Sequence, residues 1–197
     1  MNKLIYKVEF FTDWNCSSGL SGGLDTDTAA LKDENGLPYI PGKTIKGLLR
    51  DAAEILDVSN DIQDILFGYK YKAKKENEDE NEDKHKEQQG QCFFTNAEIP
   101  KEMQNHIVSN ESVKTHLFRD IAATAIDKEE GFAKKHSLRK IEVAVPMTVY
   151  GEIEYTDEAK PHIDYLQSCM HYIKRLGLNR NRGLGRCQFS VIKKEEA

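Results

Sequence analysis

Two stretches of the 197-residue chain hold residues whose types and spacing suit the binding of anions. The first is Gly36-Leu-Pro-Tyr-Ile-Pro-Gly-Lys-Thr-Ile-Lys-Gly47-Leu-Leu-Arg50. Pro41 and Gly42 shape a turn there, and Lys43 or Thr44 opens a helical pattern. Helix N-terminal amides attract phosphate, and Lys43, Lys46 and Arg50 stand at i, i+3 and i+7, on one side of that helix. An ordinary helix with a basic, solvated face accounts for the same residues. The second stretch is Gly177-Leu-Asn-Arg-Asn-Arg-Gly-Leu-Gly-Arg186. Gly177, Gly183 and Gly185 let backbone approach a ligand closely, and Arg180, Arg182 and Arg186 can each grip a phosphate through two N–H donors. A tight helix-to-strand connection needs one glycine, not three interleaved with three arginines. Phosphate-backbone binding is the better reading.

A third cluster, Gly22-Gly-Leu-Asp25-Thr-Asp27-Thr, lies in a turn-rich stretch from Asn15 to Gly42. Taken alone, its two aspartates are turn formers. A loop of that length inside a compact domain is uncommon and usually functional.

The net charge of -5 argues against a nucleic-acid partner only on average. The segment Lys74 to Glu87 holds seven acids and four lysines, so it contributes -3 and leaves -2 for the rest. Lys174 to Arg186, by contrast, carries five cations and no acid. An anion-binding surface is compatible with this distribution. Cys16, Cys92, Cys169 and Cys187 form no CxxC pair and suit reduced core thiols in a cytoplasmic protein. No histidine–cysteine spacing matches zinc. No apolar run is long enough for a membrane helix, and the N-terminal residues carry no small-residue cleavage site, so neither a membrane nor a secretory route is expected.

The elements that must position these residues follow from periodicity. Leu4, Tyr6, Val8 and Phe10 alternate with polar residues as in a half-buried strand. Ile45, Leu48, Leu49, Ala52 and Leu56 recur at helical steps, and a short amphipathic piece runs from Asp61 to Phe67. Residues 70–90 are charged and without periodicity, and are expected to form a mobile insertion. Gln91 to Ile99 reads as a strand. Pro100 to Arg139 gives only weak helical or hairpin signals. One long strand is expected from Ile141 to Tyr155, then a helix from about Glu158 to Leu176, then a last strand through Cys187, Phe189 and Val191. This order predicts an α+β, ferredoxin-like or RRM-like βαββαβ domain spanning 1–197, an antiparallel sheet covered on one face by two helices.

The segments Gly36–Arg50 and Gly177–Arg186, in this order, resemble the RAMP superfamily of CRISPR-associated proteins. Leu66-Phe67-Gly68, Thr95-Asn96-Ala97-Glu98, and Arg119-Asp120 through Ser137-Leu138-Arg139 are similar to stretches of the backbone subunits of type III (Csm/Cmr-like) effector complexes. Lys43 stands where the family usually has a small hydroxyl residue. The resemblance implies a subunit that binds CRISPR RNA and complementary target RNA, and that contacts copies of itself and other effector subunits. It implies RNA contacts from Lys43, Lys46, Arg50, Arg119, Arg139, Gly177, Arg180, Arg182, Gly183, Gly185 and Arg186. It also implies a thumb hairpin over 119–140, with Phe118, Ile121, Ile126, Phe132 and Leu138 as wedge candidates.

Similar backbone subunits cleave target RNA at regular spacing through a loop aspartate and a divalent metal. Counting back six residues from Asp33 selects Asp27 as that residue, with Asp25 as the alternative and Mg²⁺ held transiently by Asp27. Two rival readings remain at this point. One is a non-catalytic RNA-binding or assembly subunit. The other is a CRISPR RNA-processing nuclease, for which His85, His106, His116, His136, His162 and His171 are scattered and none sits beside the glycine-rich segments.

Overall fold

A computed structural model describes residues 1–17, 27–69, 89–127, 129, 131–135 and 137–196. Asp25 and residues 70–88, most of the expected insertion, lie outside the described residues.

Strand β1 (Asn2–Phe10) carries the predicted alternation into three dimensions. Leu4, Tyr6, Val8 and Phe10 are all buried, and the residues between them are half-buried on the other face. β1 sits between two antiparallel partners, β5 (Thr148–Tyr155) and β6 (Cys187–Glu195), with Val8 opposite both Val149 and Phe189. β5 pairs in turn with β2 (Cys92–Phe94), so the sheet order is β2-β5-β1-β6. Counting only these four strands along the chain, the order is second, third, first, fourth. That is the arrangement of a ferredoxin-like sheet.

Helices α1 (Gly42–Ile55) and α5 (Ile163–Tyr172) close one face. α1 presents Ile45, Leu49, Ala52 and Ala53 to the core, and α5 presents Ile163, Leu166, Cys169 and Met170. Burying each large aliphatic side chain contributes about 1.5–3 kcal/mol, so these stripes fix the helices on the sheet more firmly than helix propensity does. α2 (Asn60–Phe67) follows α1. Its C-terminus leads to Gly68, which bridges to Gln89. The four cysteines are buried and unpaired. Among the described residues no helix is long and apolar enough to cross a membrane.

The continuous strand expected from Ile141 to Tyr155 is instead two. β4 (Arg139–Ala144) pairs with β3 (Phe118–Ala123) in a separate two-stranded sheet, and β5 begins only at Thr148. Val145-Pro146-Met147 makes the break, because a proline has no N–H to offer a ladder. The chain then crosses to the main sheet, where the Met147 carbonyl accepts the Phe10 N–H at 2.9 Å. The strand expected over Gln91–Ile99 shortens to β2, although Ala97 and Glu98 still exchange backbone hydrogen bonds with Ile40 and Tyr150. The last helix begins with a 3₁₀ turn at Lys160–His162 and stops at Tyr172. The weakly patterned stretch from Pro100 yields α3 (Lys101–Val108), α4 (Glu111–Thr115) and then β3.

Candidate nucleic-acid interface

The glycine-rich stretch is a closed loop with a docked stem. Lys174 to Leu176 and Gly185 to Cys187 pair across its base: Leu176 N–H donates to the Gly185 carbonyl and Cys187 N–H to the Lys174 carbonyl, each at 2.9 Å. The stem lies along residues 11–15, which follow β1. Phe11 N–H donates to Arg186 C=O at 2.9 Å, Gly185 N–H to Asp13 C=O at 2.7 Å, and Leu178 N–H to Asn15 C=O at 2.9 Å. Arg186 N–H donates to the Thr12 hydroxyl at 3.0 Å. Gly177 packs directly on the Asn15 carbonyl.

Two glycines here do different work. Gly185 has φ +67 and a Cβ on it would overlap the Leu176 carbonyl, so both conformation and space demand glycine. Gly183 has φ +91 but faces open space, and a Cβ on it would meet no atom within 4 Å. Its backbone is thus accessible to a ligand from outside.

Arg180 and Arg182 lie on a 3₁₀ turn entered through the left-handed Asn179, and both are exposed. Arg186 is exposed too, its guanidinium 5.8 Å from the Phe11 ring centroid. Arg175 donates to the Arg180 carbonyl at 2.8 Å and so braces the turn. The result is an acid-free cationic loop, rigid at the stem and open at the tip.

The cations of α1 do not form a matching cluster. Lys43 is exposed at the helix start. Lys46 is half-buried, and its ammonium is held below the usual lysine range by burial first and by the nearby Arg50 charge second. Arg50 turns to the end of α2, where its guanidinium donates to the Gly68 carbonyl and lies 5.6 Å from the Phe67 ring centroid. The Gly42 amide at the helix start donates to the Asn96 side chain at 3.1 Å.

Arg119 of β3 is likewise engaged. Its Nε donates to the Asp13 carboxylate at 2.7 Å and its Nη2 reaches the same oxygen. Arg139 is exposed at the start of β4, across from Ala123. Beyond these strands the chain continues as a hairpin closed by the Ile126–Ala133 bridge, and Ile126, Phe132 and Leu138 are strongly exposed along it. Phe118 packs against the core beneath the Lys32 ammonium, and Ile121 is half-buried.

β4 also organises the first loop. Trp14 and Ala144 exchange backbone hydrogen bonds at 3.0 and 2.8 Å. The Glu142 carboxylate accepts the Ala30 N–H at 3.2 Å and the Lys32 ammonium at 2.7 Å, while its backbone carbonyl accepts the Asn15 side-chain amide at 2.5 Å. Asp27 is exposed, and its Oδ2 accepts the Lys140 N–H at 2.8 Å. Both ends of the aspartate loop are therefore pinned to one strand.

Among the described residues no three histidines, cysteines or carboxylates gather into a metal cage. Asp27 alone does not make a resident magnesium site. Magnesium is commonly held by one or two carboxylates plus substrate phosphates, so an ion at Asp27 needs further ligands, and the alternative carboxylate, Asp25, lies outside the described residues.

Asp13, Asn15 and Glu142 are structural keys that charge and motif patterns do not single out. A signal is present all the same: Asp13 and Asn15 flank Trp14 immediately after an apolar strand, where polar residues need internal partners.

The RAMP superfamily model matches residues 7–188 of the chain. One similar solved chain belongs to a type III-B Cmr-beta complex bound to cognate target RNA, with TM-score 0.72 and 11% identity over 96% of each chain. Another belongs to the apo state of a type III-B Cmr-beta complex, with TM-score 0.71 and 12% identity over 97% of each chain. At such identities the likeness speaks for the fold. No curated protein sequence matches the chain.

Proposed function

The chain belongs to the RAMP superfamily, and from that premise we propose that it is an RNA-binding subunit of a type III CRISPR effector complex, lying along guide RNA beside copies of itself and other effector subunits. The observation that carries this reading is the glycine-rich loop. Five cations and no acid occupy Lys174 to Arg186, and the loop is anchored at its stem and open at Gly183. Such a loop recognises phosphate and sugar rather than base edges, which suits a system in which base pairing carries the sequence information. The fold shared with chains of a complex bound to target RNA supports the same reading.

In this proposal the β3–β4 hairpin acts as the thumb, and the exposed Ile126, Phe132 and Leu138 are its wedge, since apolar side chains inserted between base steps unstack them. Asp27 is the candidate for target cleavage, where a carboxylate can orient a ribose 2′-hydroxyl toward the adjacent phosphate. A non-catalytic scaffold is the second reading, and the Asp27–Lys140 contact favours it by giving Asp27 a structural task.

The test is binding of single-stranded RNAs of unrelated sequence, followed by sedimentation on RNAs of increasing length. The proposal expects equal affinities that fall with salt, and more copies of the chain on longer RNA. A protein that binds none of them at low salt is an assembly module instead.

A further inference from the structure

Arg119 has the charge of an RNA ligand and a side chain that is 61% exposed, yet one edge of its guanidinium is committed to a buried carboxylate. Nε and Nη2 both bond Oδ2 of Asp13, a residue only 6% exposed. Oδ1 of that carboxylate has no hydrogen-bond partner among the described residues. Arg119 is thus what neutralises a carboxylate shut away from water, and such a charge is strongly destabilising once its partner is removed.

Asp13 sits at a junction. Its carbonyl accepts the Gly185 N–H at 2.7 Å, so its backbone holds the stem of the glycine-rich loop. On the opposite edge, its neighbour Trp14 is paired with Ala144 of β4. Its side chain then reaches β3 through Arg119. One short segment therefore joins the cationic loop to the hairpin, and the Asp13 carboxylate carries its side-chain link to β3.

We propose that Arg119 is a positioning residue that acts through Asp13, tying the β3–β4 hairpin to the glycine-rich loop, and is not itself an RNA ligand. This rests on the RNA-binding reading for its effect on affinity, but the tie itself is a property of the free protein. Without Arg119 the Asp13 carboxylate must move toward water, and the carbonyl that receives Gly185 moves with it. The loop then loses its preset position, and RNA binding must restore it at a cost in affinity.

The experiment uses the full chain and a fluorescent single-stranded RNA, with affinity measured across a salt series for wild type, Arg119→Ala, Asp13→Ala (which leaves Arg119 no acceptor on that side chain) and the double variant. Each single variant is expected to weaken binding by about fivefold or more, the scale of a typical coupling between sites. The double variant should be no weaker than the worse single one, and the salt slope should match wild type. Arg119→Lys, which keeps the charge and loses the second N–H contact, should fall between. If Arg119→Ala instead flattens the slope by about 0.7, the loss of one phosphate contact, while Asp13→Ala binds like wild type, Arg119 is an RNA ligand and the proposal is overturned.

Amide exchange without RNA separates the two claims. In Arg119→Ala, or in Arg119→Lys should the alanine variant not fold, the Gly185 amide is expected to exchange faster while the α1 amides do not. That result upholds the tie even if the wild-type chain binds no RNA. An unchanged Gly185 rate overturns it.

Discussion

Asp27 and Lys140 exchange two hydrogen bonds: the Asp27 N–H donates to the Lys140 carbonyl at 2.9 Å, and the Lys140 N–H donates to Asp27 Oδ2 at 2.8 Å. The second of these uses the side chain, so Asp27 has a structural task whether or not it also touches RNA. The two tasks separate by substitution. Asp27→Asn can still accept the Lys140 N–H through its amide oxygen, whereas Asp27→Ala cannot and should lose about 1 kcal/mol of stability. If Asp27 is catalytic, both variants abolish cleavage of complementary RNA in the assembled complex while binding persists. If only Asp27→Ala loses cleavage, the residue is a clamp and the chemistry lies elsewhere.

Much of the fold was legible because it rests on local periodicity. The alternation of Leu4, Tyr6, Val8 and Phe10 and the helical stripe from Ile45 to Ala52 predict elements that the structure contains. The division at Pro146 was not legible, because the alternation resumes in phase on both sides of it and hides a change of sheet. The site was legible as composition but not as geometry. Arg50, Arg119 and Arg180 look alike in a sequence. Only the fold gives the first two internal acceptors, the Gly68 carbonyl and the Asp13 carboxylate, and leaves the third at an open turn.

Glu142 holds Ala30 and Lys32 through both carboxylate oxygens, and its side chain is only 18% exposed. Glu142→Ala should destabilise the chain by about 1–3 kcal/mol by leaving the Ala30 amide without its acceptor. Glu142→Gln, which keeps one carbonyl oxygen, should lose less. Urea unfolding checks this, and equal losses would contradict the assigned role of the Ala30 contact.

Gly185 and Gly183 should respond differently to alanine. Gly185→Ala meets both a positive φ and the Leu176 carbonyl, so the loop stem must open and stability should fall by several times RT. Gly183→Ala meets only the positive φ, at a cost of about 1–2 kcal/mol. The fold should survive Gly183→Ala while RNA affinity drops. Unchanged RNA affinity in a folded Gly183→Ala chain would remove this backbone from the interface.

Burial pushes the thiols of Cys16, Cys92 and Cys187 up to about 12 and that of Cys169 to about 11, from an ordinary value of 9.0. Below pH 9 folded and unfolded chains both keep these protons, so the thiols give no pH dependence there. Above it the unfolded chain releases protons that the fold retains, and stability falls by up to about 1.4 kcal/mol per pH unit for each thiol. The urea midpoint should therefore drop steeply above about pH 9, the unfolded thiol value. A chain with Cys16 and Cys187 replaced by alanine should show a shallower drop. The same slope in both chains would mean that these thiols ionise in the fold.

A glycine-rich loop that holds RNA by its phosphates must show it in the salt dependence of binding. Affinity for single-stranded RNA is measured over a range of salt concentrations for wild type and for a chain with Arg180, Arg182 and Arg186 all changed to alanine. Each phosphate contact on a single strand contributes about 0.7 to the slope of log affinity against log salt, so the triple variant should be flatter by about two and weaker by tenfold or more. An identical slope and affinity in the two proteins would mean that the loop does not hold RNA.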